Sequence, residues 1–212
     1  MKAKAYLFDF DGTLVDTMGG FADIAGRVIH DHHPELSFYE ARKRYLDTSG
    51  VPFFQQLEIL FPGGADNIRM AEIFEETKKT GFFSRKFHED VVFTVNSLRS
   101  QGIIVGVCSN NFQDLIDRFI EREGLSFDVV LGFRNGFEKG KAHFEYVMNT
   151  FNLAKEEMVF VGDSLKDAEK ARLNAMRFVA LCGTFSADDF RKQDPDTVTI
   201  SNIRELLSLQ ER

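Results

Sequence analysis

Two aspartates one residue apart, Asp9 and Asp11, close the apolar run Tyr6-Leu7-Phe8 and are followed at once by Gly12. If extended geometry persists that far, period two points both carboxylates the same way. Carboxylates crowded at the end of a buried strand repel each other and need a cation or a shared proton to coexist. A solvated Asp-Gly turn is the plain alternative, and this stretch alone is consistent with either. Elsewhere the chain carries the partners that such a site needs. Ser109-Asn110 follows the apolar run Ile103 to Cys108, and Asp163 follows the run 158–162, with Asp167 one helical turn further on. Lys139 and Lys141 share one loop. Clustered aspartate oxygens suit a hard cation such as Mg²⁺, which keeps several waters and shares a phosphate. A carboxylate can also be a nucleophile, giving an aspartyl-phosphate. A lysine supplies positive charge for an anionic substrate.

Bringing these residues together requires the elements between them to alternate. From residue 90 they do: a helix through Val91, Val95 and Leu98 ends at Gly102, and a strand runs from Ile103 to Cys108. Next come a helix through Leu115 and Phe119, strand 128–132, helix 142–151, strand 158–162 and helix 165–174. Strand 178–182, a weak helix near 186–192, strand 197–200 and a terminal helix from Asn202 complete the chain. Such alternation predicts right-handed crossovers and a Rossmann-like α/β core with a parallel sheet covered on both faces. Ligands of such sheets bind beyond the carboxyl ends of the strands, where these polar residues fall. Between the first strand and this region the pattern is helical throughout. Phe21, Ile24, Val28 and Ile29 repeat at helical spacing, Ser37 and Glu40 form a capping box, and further helices follow Pro52 and Asp66. The expected organisation is residues 1–15 and 88–212 as the α/β core, with 16–87 as an inserted all-helical domain, too long for an ordinary connection.

Composition narrows the function. At 212 residues, 43% hydrophobic and 28% charged, the chain has the makeup of a packed globular protein. Its net charge of −7 argues against a general nucleic-acid or anionic-membrane binder. Cys108 and Cys182 both sit in apolar runs and read as reduced core residues, favouring a cytoplasmic home. No signal peptide and no apolar stretch near the roughly 20 residues of a membrane span is visible. Gly136 to Lys141 superficially resembles a phosphate loop, but it is one residue short and lacks Ser or Thr at 142. A nicotinamide-dependent oxidoreductase is disfavoured, since no Gly-x-Gly-x-x-Gly follows the first strand.

Taken together, Asp9-Phe-Asp-Gly-Thr13, Cys-Ser109-Asn110, a lysine loop and Val-Gly-Asp163-Ser-x-x-Asp167 resemble the haloacid dehalogenase-like hydrolases in order and spacing. The insertion after the first strand is similar to that of members with a helical C1-type cap, such as phosphoglycolate phosphatase and β-phosphoglucomutase. The resemblance implies that Asp9 is the nucleophile and also a Mg²⁺ ligand, and that Asp11 is the general acid, whose main-chain oxygen ligates the same ion. It implies that Asp163 is a metal ligand and that Ser109, helped by Asn110 and Gly12, holds the phosphoryl group. Asp167 is either a further ligand or a support. The family's loop lysine often precedes a proline and a helix start; here the phasing of Phe144, Met148 and Phe151 favours Lys141 over Lys139 for that part. An acid two residues after the nucleophile implies a phosphatase or phosphomutase rather than a dehalogenase, which has no alkoxide to protonate.

The reading is therefore a Mg²⁺-dependent phosphatase acting on a small phosphomonoester through an aspartyl-phosphate, with no nucleic-acid or membrane partner. The helical domain is expected to open and close over the crevice and to choose the leaving group. A phosphomutase on the same scaffold, or a non-catalytic phosphate- or partner-binding module, are the alternatives. The histidines His30, His32 and His33 are read as a helix terminus.

Overall fold

The computed structural model describes residues 2–211, except for the side chain of Glu211. Tyr6, Leu7 and Phe8 are buried on both faces because β1 (Ala5–Phe8) lies inside a parallel sheet. The chain then forms α1 (Met18–His32), α2 (Phe38–Asp47), α3 (Phe53–Leu60) and α4 (Asn67–Phe82). After these come α5 (Glu89–Ser100), β2 (Ile104–Phe112), α6 (Gln113–Glu123), β3 (Val129–Phe133) and α7 (Lys141–Phe151). A single 3₁₀ turn leads into β4 (Met158–Gly162), followed by α8 (Leu165–Leu173), β5 (Arg177–Leu181), α9 (Ala187–Gln193), β6 (Val198–Ile200) and α10 (Glu205–Glu211). The strand order is β3-β2-β1-β4-β5-β6, and every pairing is parallel. From β1 the chain winds outward first one way, through β2 and β3, and then the other, through β4 to β6. That reversal opens a crevice beyond the carboxyl ends of β1, β2 and β4, the switch point at which such sheets bind ligands.

Two compact units result, one made of the residues up to Val15 with those from Phe87 onward, the other of Asp16–Lys86. In the helical unit, α1 packs on α2 through Gly26, where a Cβ would sit 3.0 Å from the Phe38 ring. An aromatic cluster fills its interior: the Phe53 and Phe74 rings are 4.3 Å apart, with Tyr45 5.7 Å from each and Phe21 6.0 Å from Phe74. Ser37 and Glu40 cap α2 reciprocally, as their spacing predicts. In the sheet unit, Phe10, Phe87 and Phe119 form a second triad with centroids 5.2 to 6.1 Å apart. Many of the 23 phenylalanines are thus drawn into aromatic packing in the two cores, while Phe54, Phe93 and Phe112 stay exposed.

β2 differs from the sequence expectation. Rather than stopping at Cys108, it continues to Phe112 after a register shift between Cys108 and Phe112 against β3. Polar residues normally argue against a central strand. Here the irregular register turns Ser109, Asn110 and Asn111 to partners of their own, while the ladder resumes at Phe112 opposite Phe133.

On α7, His143 is wholly buried, with its ring 4.6 Å from that of Phe137. Burial, with the nearby Lys139 charge adding to it, pushes its pKa down to about 3. The folded chain thus refuses a proton that the unfolded chain accepts near 6.5, so stability is complete above that pH and is lost as pH falls toward 3. At pH 5 the loss attributable to His143 is about 2 kcal/mol. Thermal melts of His143→Leu and the native protein at pH 7.5 and 5 are expected to show a smaller acid shift in the variant; equal shifts would refute the assignment. Among the described residues, no helix is long and apolar enough to cross a membrane.

Candidate active site

The end of β1 is held tightly. Asp9 N donates to Val161 O on β4 at 2.8 Å, extending the ladder by one residue and fixing the Asp9 backbone. Phe10 then turns into the core, and Leu14 N and Val15 N both return to its carbonyl, at 2.9 and 3.0 Å. Gly12 adopts φ +77°, a conformation that glycine accepts without strain, and its N–H bonds Val15 O at 2.8 Å. This loop buries Asp9, leaves Asp11 half-buried and brings Thr13 Oγ1 to donate to Asp163 Oδ1 at 3.3 Å.

Asp163 follows β4 directly. Ser164 caps α8: its Oγ accepts from Asp167 N at 3.1 Å and donates to Asp167 Oδ2 at 2.6 Å. Gly162 makes room for this, because a Cβ there would lie 2.7 Å from Asp167 Cβ. The Ser-x-x-Asp spacing of a capping box is what places Asp167, wholly buried, beside Asp9 and Asp163.

Lys139 lies at the centre of the cluster. Its Nζ is 2.9 Å from Asp9 Oδ1 and 2.7 Å from Asp167 Oδ1, and its own N–H donates to Asn110 Oδ1 at 3.3 Å. Lys141, which helical phasing favoured, is elsewhere. It is the first residue of α7, 74% exposed, and faces Glu145 at 3.7 Å. The reason is the backbone between them. Gly140 has φ +124°, which a proline, locked near −65°, cannot adopt. The loop therefore approaches the helix by a different route from that of a Lys-Pro segment, and the inward position falls two residues before the helix. The Lys170 stem covers this glycine, at 3.6 Å from where a Cβ would stand.

Three buried aspartates and one lysine leave the cluster short of positive charge. Burial pushes Asp9 up to about 7 against the pull of Lys139, with Asp167 and Asp11 adding repulsion. Burial also holds Asp163 above the usual carboxylate range, with Asp9 and Asp167 contributing. Burial alone would raise Asp167 too, but Lys139 and then Lys170 keep it low. Lys139 is itself opposed by burial, yet Asp167 and Asp9 hold its pKa above the ordinary lysine value, so it stays cationic. The same burial and the Lys139 charge bring Lys170 down to about 8.

One carboxylate oxygen from each of Asp9, Asp163 and Asp167 lies within 4.8 Å of the others. Asp163 Oδ2 is buried with no hydrogen-bond partner among the described residues, an expensive arrangement unless a cation meets it. Three hard oxygens, a charge deficit and an orphaned acceptor fit a divalent ion of the Mg²⁺ type. Asp9 and Asp163 are the better donors, since both Asp167 oxygens already face Ser164 and Lys139.

On β2, Ser109 is buried and its Oγ accepts from Asn111 N at 3.0 Å. Asn111 Nδ2 donates to Asp11 Oδ2 at 2.5 Å. Asn111, Thr13 and Ser164 have parts here that sequence reasoning did not assign. Thr13 and Ser164 stand inside the quoted motifs, so adjacency was a signal for both; Asn111 had none beyond following Ser109-Asn110.

A parallel sheet whose switch point gathers an Asp-x-Asp pair, a serine, a lysine and a further aspartate pair defines a class of hydrolases. The chain belongs to the haloacid dehalogenase-like hydrolase family, whose profile matches residues 6–181. It is an enzyme, a hydrolase acting on phosphate esters. It is 27% identical to a phosphoglycolate phosphatase of Photorhabdus laumondii, with 97% of this chain and 91% of that protein covered. It is also 24% identical to pyrophosphatase PpaX of Listeria monocytogenes, covering 81% of this chain and 79% of the other. Its fold matches that of a haloacid dehalogenase-like family protein from Streptococcus pneumoniae with a TM-score of 0.80, at 18% identity and 98% coverage of both chains.

Proposed function

We propose that the protein hydrolyses a small phosphomonoester in two steps through a phosphoryl group carried on Asp9, with Mg²⁺ as cofactor. The observation that carries this reading is the Lys139 ammonium seated on Asp9 Oδ1 beside the orphaned Asp163 Oδ2. An Asp9 oxygen attacks phosphorus in line with the ester oxygen; the P–O bond to the alcohol breaks, and Asp11 gives that oxygen its proton. Asp11 then takes a proton from water as the water oxygen attacks the same phosphorus, releasing inorganic phosphate and restoring both aspartates. Lys139 and Ser109 bind the phosphoryl oxygens and stabilise the charge spread over them. Asn110 holds the Lys139 backbone, and Asp167 aims the Lys139 ammonium. Asp9, Asp163 and the main-chain oxygen of Asp11 would hold Mg²⁺, which when bound neutralises charge between Asp9 and the phosphoryl dianion. In this reading the helical unit chooses the leaving group.

The names of the relatives make 2-phosphoglycolate the first ester to try and pyrophosphate the necessary comparison. The test is phosphate release from a panel of phosphorylated metabolites with Mg²⁺ and with a chelator. Release from at least one small monoester is expected, falling about 10²-fold or more on chelation and restored by Mg²⁺. Release from pyrophosphate alone would overturn the monoester assignment, and silence across the panel would overturn the whole reading.

A further inference from the structure

We infer that Asn111 is a positioning residue that sets the Asp11 carboxyl for proton transfer to the leaving oxygen. The inference rests on the proposed reading of Asp11 as proton donor. Asp11 is only half-buried and sits in a short loop, where an acidic side chain otherwise samples several rotamers. Asn111 is nearly fully buried and reaches it from a different strand, with Nδ2 donating to Asp11 Oδ2 at 2.5 Å. The same residue's backbone N–H donates to Ser109 Oγ at 3.0 Å. One residue thus ties the proton donor on the β1 loop to the hydroxyl assigned to the phosphoryl group on β2.

Asn111 has the rigidity this requires. It stands where β2 shifts register, and the chain is pinned immediately afterwards. Gln113 Nε2 donates to Val130 O at 3.1 Å, and Gly132 N donates to Gln113 Oε1 at 2.7 Å. This close seating depends on Gly132, whose Cβ would meet Gln113 Cα at 2.5 Å. The chemistry of the side chain also suits the task. A lysine at 111 would favour an ionised carboxylate, whereas a neutral amide donor can hold the carboxyl both before and after it gives up its proton. Displacing a reacting group by about 1 Å can cost about 10²-fold in rate.

The experiment uses two leaving groups. p-Nitrophenolate departs without a proton, whereas the alkoxide of 2-phosphoglycolate, or of whichever alkyl phosphate the native enzyme turns over fastest, requires one. Asn111→Ala, and Asn111→Leu, which fills the same space without a donor, are each expected to lower kcat on the alkyl ester by about 10- to 100-fold. Because Asp11 also takes a proton from water in the second step, the two esters are compared on the first step alone. Single-turnover release of p-nitrophenolate should fall by about threefold or less while single-turnover release of the alkyl alcohol falls by about 10- to 100-fold, and Asn111→Gln should recover part of the alkyl rate. A merely structural role would depress both esters alike, and equal losses or no loss in the folded variants would overturn the inference while leaving the phosphatase reading intact. If the native enzyme turns over neither ester, both fall together.

Discussion

Asp9→Asn is expected to lower phosphate release by about 10³-fold or more while leaving the fold intact. The substitution keeps the shape of the side chain and replaces the carboxylate, the nucleophile in the proposed mechanism, with a non-nucleophilic amide. Stability should move the other way. Burial lifts the Asp9 carboxyl to about 7 from an ordinary 3.8, so the folded state prefers it protonated. Without a bound cation, the folded protein then loses stability as pH rises from about 4 to 7, as the unfolded chain ionises first. The asparagine removes that cost, partly offset because a neutral amide holds the Lys139 ammonium less strongly than a carboxylate does. At pH 8 in chelator the variant should be more stable than the native chain by about 1–3 kcal/mol and so melt at a higher temperature. Added Mg²⁺ should narrow the gap by stabilising the native protein more. Native-level phosphate release by the variant would remove Asp9 from the chemistry, and a lower melting point would contradict the electrostatic account of the cluster.

Lys139→Ala and Lys141→Ala are expected to behave as opposites, although the residues lie two apart in one loop. Removing the Lys139 ammonium leaves Asp9 and Asp167 buried without their shared cation, at a cost of about 3–5 kcal/mol. Lys139→Met, which keeps the stem, separates this from catalysis and should still lose about 10²–10³-fold in kcat/KM. Lys141 is exposed and faces Glu145 at long range, so its removal should change stability by less than about 0.5 kcal/mol and leave turnover as it was. Paired melts and rates on the three variants check this. A Lys141→Ala enzyme as impaired as Lys139→Met would mean that the loop rearranges when substrate binds.

The Lys139/Lys141 pair also shows where sequence reasoning stops. A buried helix face repeats every three to four residues, so Phe144, Met148 and Phe151 locate α7 well. That periodicity says nothing of the path by which the chain enters the helix. The path depends on Gly140 at φ +124°, a conformation visible only once the loop must fit beneath the Lys170 stem. The β2 terminus is a similar case. Ser109, Asn110 and Asn111 look like the end of a strand because they are polar, but a register shift lets the strand carry them on.

What the sequence by itself determined is the alternation of strands and helices, the long helical stretch after the first strand, and the polar residues that end β1, β2 and β4. These follow from local patterns: apolar runs, helical periodicity and the turn residues that interrupt them. Tertiary structure alone decided which lysine faces Asp9, that the same lysine occupies Asp167, that Asp163 keeps an oxygen with no partner among the described residues, and that Asn111 reaches Asp11. Each of those is a contact between segments tens to more than a hundred residues apart, or depends on one. Side-chain partners across such separations are chosen by burial and charge in the assembled cluster, and neither quantity exists until the sheet has brought the strand ends together.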